Sequence, residues 1–231
     1  MCTVVIRVPE PGDGPIRLLA VRDEDPHRPW RPLGAWWPER EGVEGIMDEL
    51  AGGAWLAHDG ATLAVLLNRD GGSTVAVPAS RGSLVLDAIA GRDLPDPLTT
   101  LGFNLVVADA AGVSVTSWEG GTPRVTRLAP GTHMIAHEDV DAPTTARVAA
   151  WLGAFSEAPT DGDPWWGGWI DTLRASTVVE ATDDRAIVRD NRPHGYPTQT
   201  LLVCVAGVDA AGVTATMARL DEPGAWNELS L

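Results

Sequence analysis

Met1-Cys2-Thr3-Val4-Val5-Ile6 opens the chain and decides how the rest of the sequence is interpreted. The β-branched residues predict a strand, and a cysteine at the start of a strand is often only a small buried hydrophobic residue. Removal of Met1 would instead place an α-amine, with a pKa of about 7.7–8.0, next to the Cys2 thiol. Such a cysteine carries its own base and needs no histidine partner. We expect the mature protein to lack Met1.

Four later stretches follow in an order that favours the second interpretation. They are the apolar strand with a charged end Leu18-Leu19-Ala20-Val21-Arg22-Asp23-Glu24-Asp25, the proline-rich Pro26-His27-Arg28-Pro29-Trp30-Arg31-Pro32, and the runs Gly52-Gly53-Ala54-Trp55-Leu56-Ala57 and Leu63-Ala64-Val65-Leu66-Leu67-Asn68-Arg69. Together they resemble the NRDE family, also called the transport and Golgi organisation family. Its members begin Met-Cys-Thr, carry Asn-Arg-Asp-Glu at the end of the next strand, and continue with Gly-Gly-Thr-Trp-Leu and a strand ending Thr-Asn-x-Arg. The resemblance is strong over roughly the first seventy residues and looser beyond them.

That family in turn looks like the N-terminal nucleophile hydrolases, in particular the penicillin V acylase and bile salt hydrolase group. The resemblance implies an α+β fold, a four-layer αββα sandwich of two antiparallel sheets. It implies that Cys2 is the nucleophile, that Asp23 holds the Cys2 α-amine and that Asn68 helps to bind the oxyanion. Arg22 offers a positive charge for a thiolate. Neighbouring residues of a strand point to opposite faces, so we expect only one of Arg22 and Asp23 to face the site, and we favour Asp23.

The chain departs from the family pattern at three positions. Val21 stands where the family motif has its first Asn, His137 follows Ala136 where the family often has Ser-Asn, and Gln199 ends Tyr196-Pro197-Thr198-Gln199 where the family has Tyr-Gly-Thr-Arg. If His137 replaces the Asn, a neutral imidazole could donate a hydrogen bond to an oxyanion, or it could be an axial ligand of a haem iron. Loss of one oxyanion donor lowers a rate by about 10²–10³.

Two classes of function follow. The first is a hydrolase of a carbon–nitrogen bond in a small molecule, which needs no cofactor and uses Cys2 as its nucleophile. The alternative is a non-catalytic protein of the same fold that binds and traffics haem or a lipid or acyl ligand. Catalysis by Cys2 requires its free α-amine, whereas a binder does not.

Composition limits the class of partner. The 231 residues carry a net charge of −15, which disfavours nucleic acid and anionic membrane surfaces, and 44% of them are hydrophobic. The first apolar run is too short to insert into a membrane, and only two cysteines occur, which fits a reducing compartment. We therefore expect one domain over residues 1–231, a cytoplasmic location and a small-molecule substrate or ligand. The oligomeric state is left open.

Periodicity predicts strands at about 2–8, 16–22, 53–58, 61–68, 103–108, 113–118, 123–128, 132–137, 185–190, 200–206 and 213–219. It predicts helices at about 80–90, 144–155 and 164–175, the second with an apolar stripe of Val148, Trp151, Leu152 and Phe155. Asp59-Gly60 indicates a two-residue hairpin, and Asp109-Ala110-Ala111-Gly112 and Asp209-Ala210-Ala211-Gly212 indicate two more.

Ten tryptophans against one tyrosine and two phenylalanines form an unusual balance. Packing in the core or in loops is their ordinary use, and the alternative is an apolar pocket near Cys2. His133 and His137 have the spacing of a helical metal pair, but they lie in a predicted strand. There they would be about 13 Å apart, so we expect no metal site.

Overall fold

A computed structural model describes residues 2–231, and Met1, whose removal is predicted, lies outside the described residues. The strands are β1 (Thr3–Val8), β2 (Ile16–Glu24), β3 (Trp30–Gly34), β4 (Glu44–Asp48), β5 (Gly53–His58), β6 (Leu63–Gly72), β7 (Leu101–Asp109), β8 (Gly112–Trp118), β9 (Arg124–Arg127), β10 (Gly131–Ile135), β11 (Gln199–Asp209) and β12 (Gly212–Arg219). The α-helices are α1 (Gly82–Ile89), α2 (Ala146–Glu157) and α3 (Gly167–Ser176).

The strands form two antiparallel sheets that face each other. One sheet has the order β10-β1-β2-β11-β12 and the other the order β3-β4-β5-β6-β7-β8-β9. A central core between them joins alternate residues of β1, β2 and β11 to residues of β5 to β8. Helices α2 and α3 cover the outer face of the five-stranded sheet, and α1 covers the outer face of the other. The predicted αββα sandwich is confirmed.

The three helices lie where the apolar patterns predict them. In α2, Val148 and Phe155 are buried, and Trp151 and Leu152 pack against the same outer core. Burial of one such stripe supplies most of the stability of a short helix, because isolated helices of this length are marginal in water. The predicted apolar face of α2 is therefore confirmed.

The two Asp-Ala-Ala-Gly segments form hairpins of the same geometry. In each, the Asp carboxylate accepts a hydrogen bond of 2.7 Å from the backbone N–H of the second alanine, and the glycine has a φ near +135°. Only glycine adopts such a φ readily.

The connection at Asp59-Gly60 differs from the predicted two-residue turn, since His58 pairs with Leu63 and four residues lie between them. The Asp59 carboxylate accepts from the N–H groups of Ala61 and Thr62 and stabilises this longer loop.

Two strands arise without a predicted counterpart, and one predicted strand is absent from the structure. β3 contains Pro32 and β4 mixes acidic with apolar residues, so neither shows a strand pattern on its own. They form because each pairs with a neighbour in the seven-stranded sheet. In the segment 185–190, residues 186–189 are buried, but the backbone is irregular, with a single bridge from Asp190 to Gln199. The prediction of a strand at 185–190 was wrong, because burial alone does not specify a ladder.

Candidate active site

Cys2 lies at the start of β1 with its side chain in the core between the sheets. It is 5% exposed, and its Sγ lies 3.6 Å from the backbone oxygen of Asp23. The thiol lines a cavity of about 20 Å³ together with apolar side chains of both sheets and the second cysteine, Cys204. That volume holds about one water molecule. Burial raises the pKa of Cys204 to about 12, so its thiol stays protonated at neutral pH.

Arg22 lies on the same face of the five-stranded sheet as the Cys2 thiol. Thr3 pairs with Val21, so the next pair outward along this ladder would be Cys2 with Arg22. The Arg22 guanidinium donates to Glu24 Oε2 at 2.7 Å, to the backbone oxygen of Leu66 at 3.4 Å, and lies 4.3 Å from the centroid of the Trp55 ring. Burial acts to lower the pKa of Arg22, but its electrostatic interactions with Cys2 and with the Glu24 carboxylate raise the pKa above its usual value. Arg22 is therefore a fully charged group next to the thiol.

Asp23 points to the opposite face, toward the helices that cover the five-stranded sheet. Its Oδ1 accepts a hydrogen bond of 2.6 Å from the hydroxyl of Thr200. The charge of Asp23 also acts on Arg147, although burial lowers the pKa of Arg147 to about 10. As predicted, Arg22 and Asp23 point to opposite faces of the sheet, but it is Arg22, and not Asp23, that shares the face of the thiol. A role of Asp23 in holding the Cys2 α-amine stays a prediction.

A second, larger cavity begins where β5 and β6 separate. Their ladder ends at the pair Leu56 and Val65, and beyond it β5 pairs only with β4 while β6 pairs only with β7. The N-terminus of α1 lies against this gap, with Gly82 packed on Gly53. The resulting cavity has a volume of about 410 Å³, within the range of small-molecule sites.

Asn68 lines this larger cavity, not the small one around the thiol. Its carboxamide forms no hydrogen bond with any of residues 2–231, so both of its N–H donors are available. Three residues line both cavities and separate Cys2 from Asn68: Arg22, Trp55 and Leu66. The structure thus brings Cys2 and Asn68 to adjacent cavities rather than to one.

His137 lies in the bend that follows β10. The ladder of β1 and β10 ends at the pair Val4 and Ile135, and a straight continuation of it would place His137 level with Cys2. The side-chain N–H groups of Asn104 donate to the backbone oxygens of Ala136 and Glu138, at 3.4 and 2.8 Å, and hold the bend on both sides of His137. Burial, followed by the charge of Arg147, lowers the pKa of His137, so its ring is neutral at pH 7. Its roles as an oxyanion donor or a haem ligand stay predictions.

The model of the Transport and Golgi organisation 2 family matches residues 1–163, which is more than two thirds of the 231 residues. The chain belongs to the Transport and Golgi organisation 2 family. The match includes β1 to β10, α1 and α2, and therefore Cys2, Arg22, Asn68 and His137 of this family member. The strands β11 and β12, and Gln199 at the start of β11, lie beyond it.

Solved structures also match this family member. One is the Caenorhabditis elegans N-acylethanolamine-hydrolyzing acid amidase ortholog, which is 13% identical. The match covers 88% of this chain and 92% of that chain with a TM-score of 0.46. No curated protein sequence matches the chain.

Sequence reasoning missed two arginines in or near this site. Arg81, just before α1, lines the larger cavity, and Arg147 is buried beside Thr3, to whose hydroxyl it donates at 3.1 Å. Arg147 precedes the apolar stripe of α2 directly, so its position on a buried face could have been found from the helical period. The position of Arg81 depends on contacts that are distant in sequence.

His133, the metal ligands and the tryptophans are the remaining features that the sequence singled out. His133 is held by the carboxylate of Asp141 at 2.7 Å and the backbone oxygen of Ala129 at 2.9 Å. Residues 2–231 contain no group of three metal-ligating side chains and no helix long and apolar enough to cross a membrane. All ten tryptophans lie in the central core or in one of the two outer cores, or pack against one of them; Trp169, for example, is fully buried. Trp55 both packs in the central core and lies over Arg22, beside the thiol.

Proposed function

We propose that this protein is a cysteine hydrolase that cleaves a carbon–nitrogen bond of a small molecule, with Cys2 as the nucleophile after removal of Met1. One observation carries the proposal. The Cys2 thiol lies beside the buried cation of Arg22, and Arg22 separates it from a cavity of about 410 Å³ that contains the unengaged carboxamide of Asn68. A nucleophile, a charge to stabilise its thiolate and a hydrogen-bond donor then lie along one path.

The α-amine of the mature Cys2 acts as the base in this mechanism. It takes the proton of the thiol, and the sulfur forms a bond to the amide carbon while the carbonyl oxygen becomes an oxyanion. Collapse of this intermediate breaks the carbon–nitrogen bond, and the protonated α-amine returns its proton to the leaving amine. Water then attacks the acyl–sulfur bond, which releases the acid and restores the thiol. The net reaction consumes one amide and one water.

Asn68 and Arg22 stabilise the charges that develop in these steps. The Asn68 carboxamide has no competing partner in the described residues, so it can donate to the oxyanion at no cost of a broken protein hydrogen bond. The guanidinium of Arg22 faces the sulfur and stabilises the thiolate before attack. Because Cys2 and Arg22 are both buried, the interaction between the thiolate and the guanidinium is stronger than it would be in water.

The described arrangement is a closed one. The space at the thiol holds about one water molecule, so an amide reaches Cys2 only when Arg22 and Trp55 move apart. Arg22 is held there by Glu24, by the Leu66 carbonyl and by the Trp55 ring. A substrate that enters the larger cavity can compete for these contacts, and it would then join the two cavities.

The test combines mass spectrometry with a panel of acyl amides. Intact-mass measurement of untagged protein should show loss of Met1. The protein should then turn over at least one amide, with a transient mass increase equal to the acyl group. Cys2→Ala should abolish turnover, and Asn68→Ala should lower kcat by about 10²–10³.

Cys204→Ala is the matched control, because it removes the other thiol of the same cavity without removing the nucleophile. It should retain turnover. Retention of Met1 throughout, or equal turnover by the Cys2→Ala variant, would disprove the mechanism. The haem-binding alternative gains no specific support, because the larger cavity contains no histidine among the described residues.

A further inference from the structure

The larger cavity has an unbalanced charge at one residue. Among residues 2–231, five ionisable side chains line it, three arginines and two carboxylates. Arg22 is paired with Glu24 at 2.7 Å, and Arg28 is paired with Asp48 at 2.8 Å. Arg81 has no carboxylate within ion-pair distance among residues 2–231. The lining therefore carries one net positive charge, in a chain whose total charge is −15.

The contacts of Arg81 leave most of its donors facing the cavity. One Nη donates at 2.8 Å to the backbone oxygen of Gly102, which fixes the side chain across the start of β7. Its other guanidinium nitrogens have no hydrogen-bond partner in the described part of the chain, and none of them is shielded from solvent. A guanidinium presents five N–H donors in a planar fork that matches a carboxylate. Arg81 is thus a positioned cation with an open binding edge.

The surroundings of Arg81 make its positive charge energetically unfavourable unless an anion neutralises it. Burial acts to lower the pKa of Arg81, and the neighbouring charge of Arg22 lowers it further. Cys2 and Glu24 act in the opposite direction, but Glu24 is already bound by Arg22. An anion in the cavity would relieve this unfavourable interaction, and one negative charge would bring the lining to neutrality. A lining with one net positive charge favours an anion of charge −1 over a phosphate of charge −2.

We infer that Arg81 binds a carboxylate of the substrate, so that the amides cleaved at Cys2 are those that carry an acidic group, such as N-acylated amino acids. This inference rests on the proposed function for the reaction, but its binding step does not depend on turnover. With the carboxylate at Arg81, the rest of the molecule lies in the cavity that Asn68 lines and that Arg22 and Trp55 close toward the thiol.

The test measures binding in a protein that cannot react. Cys2→Ala protein is titrated with N-hexanoylglycine and with the neutral N-hexanoylglycinamide by calorimetry, with the intrinsic tryptophan fluorescence as a second signal. The acid should bind at least about 10-fold more tightly, because a charge-assisted hydrogen bond contributes about 1.5–3 kcal/mol. Arg81→Gln in the same background should abolish the preference, and Arg81→Lys should retain part of it.

Arg174→Gln is the matched control, since it changes the net charge equally but lies on α3 and pairs with Glu228 at the surface. It should leave the preference intact. Equal affinity for the two probes, no detectable binding of the acid, or a preference that survives Arg81→Gln would each overturn the assignment. Stronger displacement of the acid by inorganic phosphate than by acetate would overturn the carboxylate class. Turnover of neutral amides with no acid preference would overturn this inference while the proposed hydrolase remained.

Discussion

The two cysteines should differ strongly in their reaction with iodoacetamide, although they line the same small cavity. The pKa of Cys204 is about 12, so at pH 8 only about one thiol in 10⁴ is ionised. An ordinary thiol with a pKa of about 8.5 is about one quarter ionised at this pH. Only the thiolate reacts, so ionisation alone slows alkylation of Cys204 by roughly 2,000-fold relative to such a thiol. Cys2 has the cation of Arg22 beside it and should react first.

The assay follows alkylation of native protein by mass spectrometry, with peptide mapping of the modified residue. Cys2→Ser protein, in which only Cys204 remains, should stay unmodified while Cys204→Ser protein is labelled. Both single-cysteine variants should react quickly in denaturant, which shows that each thiol is competent. Native labelling of Cys204 at a rate equal to that of Cys2 would refute the reasoning, because the thiol proposed as nucleophile would have no special reactivity.

Trp55 controls access to Cys2 in the same experiment. Trp55→Leu removes the ring over Arg22 and the indole N–H bond of 3.3 Å to Asp48, so alkylation of Cys2 should become several-fold faster. Trp151→Leu, which replaces a half-buried tryptophan on the outer core, is the matched control and should leave the rate unchanged. Equal acceleration by both variants would indicate general loosening of the protein and would contradict a closing role for Trp55.

Two further predictions concern stability. Gly53→Ala places a Cβ 2.3 Å from the carbonyl carbon of Gly82 and should lower the free energy of unfolding by about 1–3 kcal/mol. Gly153→Ala on α2 meets no atom within 4 Å and should raise the free energy of unfolding by about 0.5–1 kcal/mol. Unfolding in urea measures both changes, and the reverse order of stability would be inconsistent with the packing. The hydrogen bond to Asp141 raises the pKa of His133 above its ordinary value of 6.5, so this pair stabilises the fold fully below about pH 6.5 and loses its effect as the pH rises through the higher folded-state pKa. The difference in unfolding free energy between wild type and Asp141→Asn should therefore shrink from about pH 5.5 to 8.5, and a difference that grows with pH would contradict the pair.

Local sequence determined the layers of this protein. The strands β1, β2, β7, β8, β11 and β12, the two Asp-Ala-Ala-Gly hairpins and the three helices follow from apolar periodicity and turn residues, which act over a few positions. The opening motif and its order relative to the later stretches also indicated the family to which the chain belongs. These features needed no knowledge of distant contacts.

Tertiary structure decided the geometry around Cys2. Alternation along β2 predicts that Arg22 and Asp23 point to opposite faces, but only the pairing of β2 with β1 and β11 determines that Arg22 shares the face of the thiol. Asn68 lies in a separate cavity because β5 and β6 part beyond Leu56 and Val65, where α1 packs against the gap. The charge of Arg81 is unbalanced only because the two carboxylates that line the same cavity are already paired with other arginines. Each of these depends on contacts between residues far apart in the chain, which no local pattern encodes.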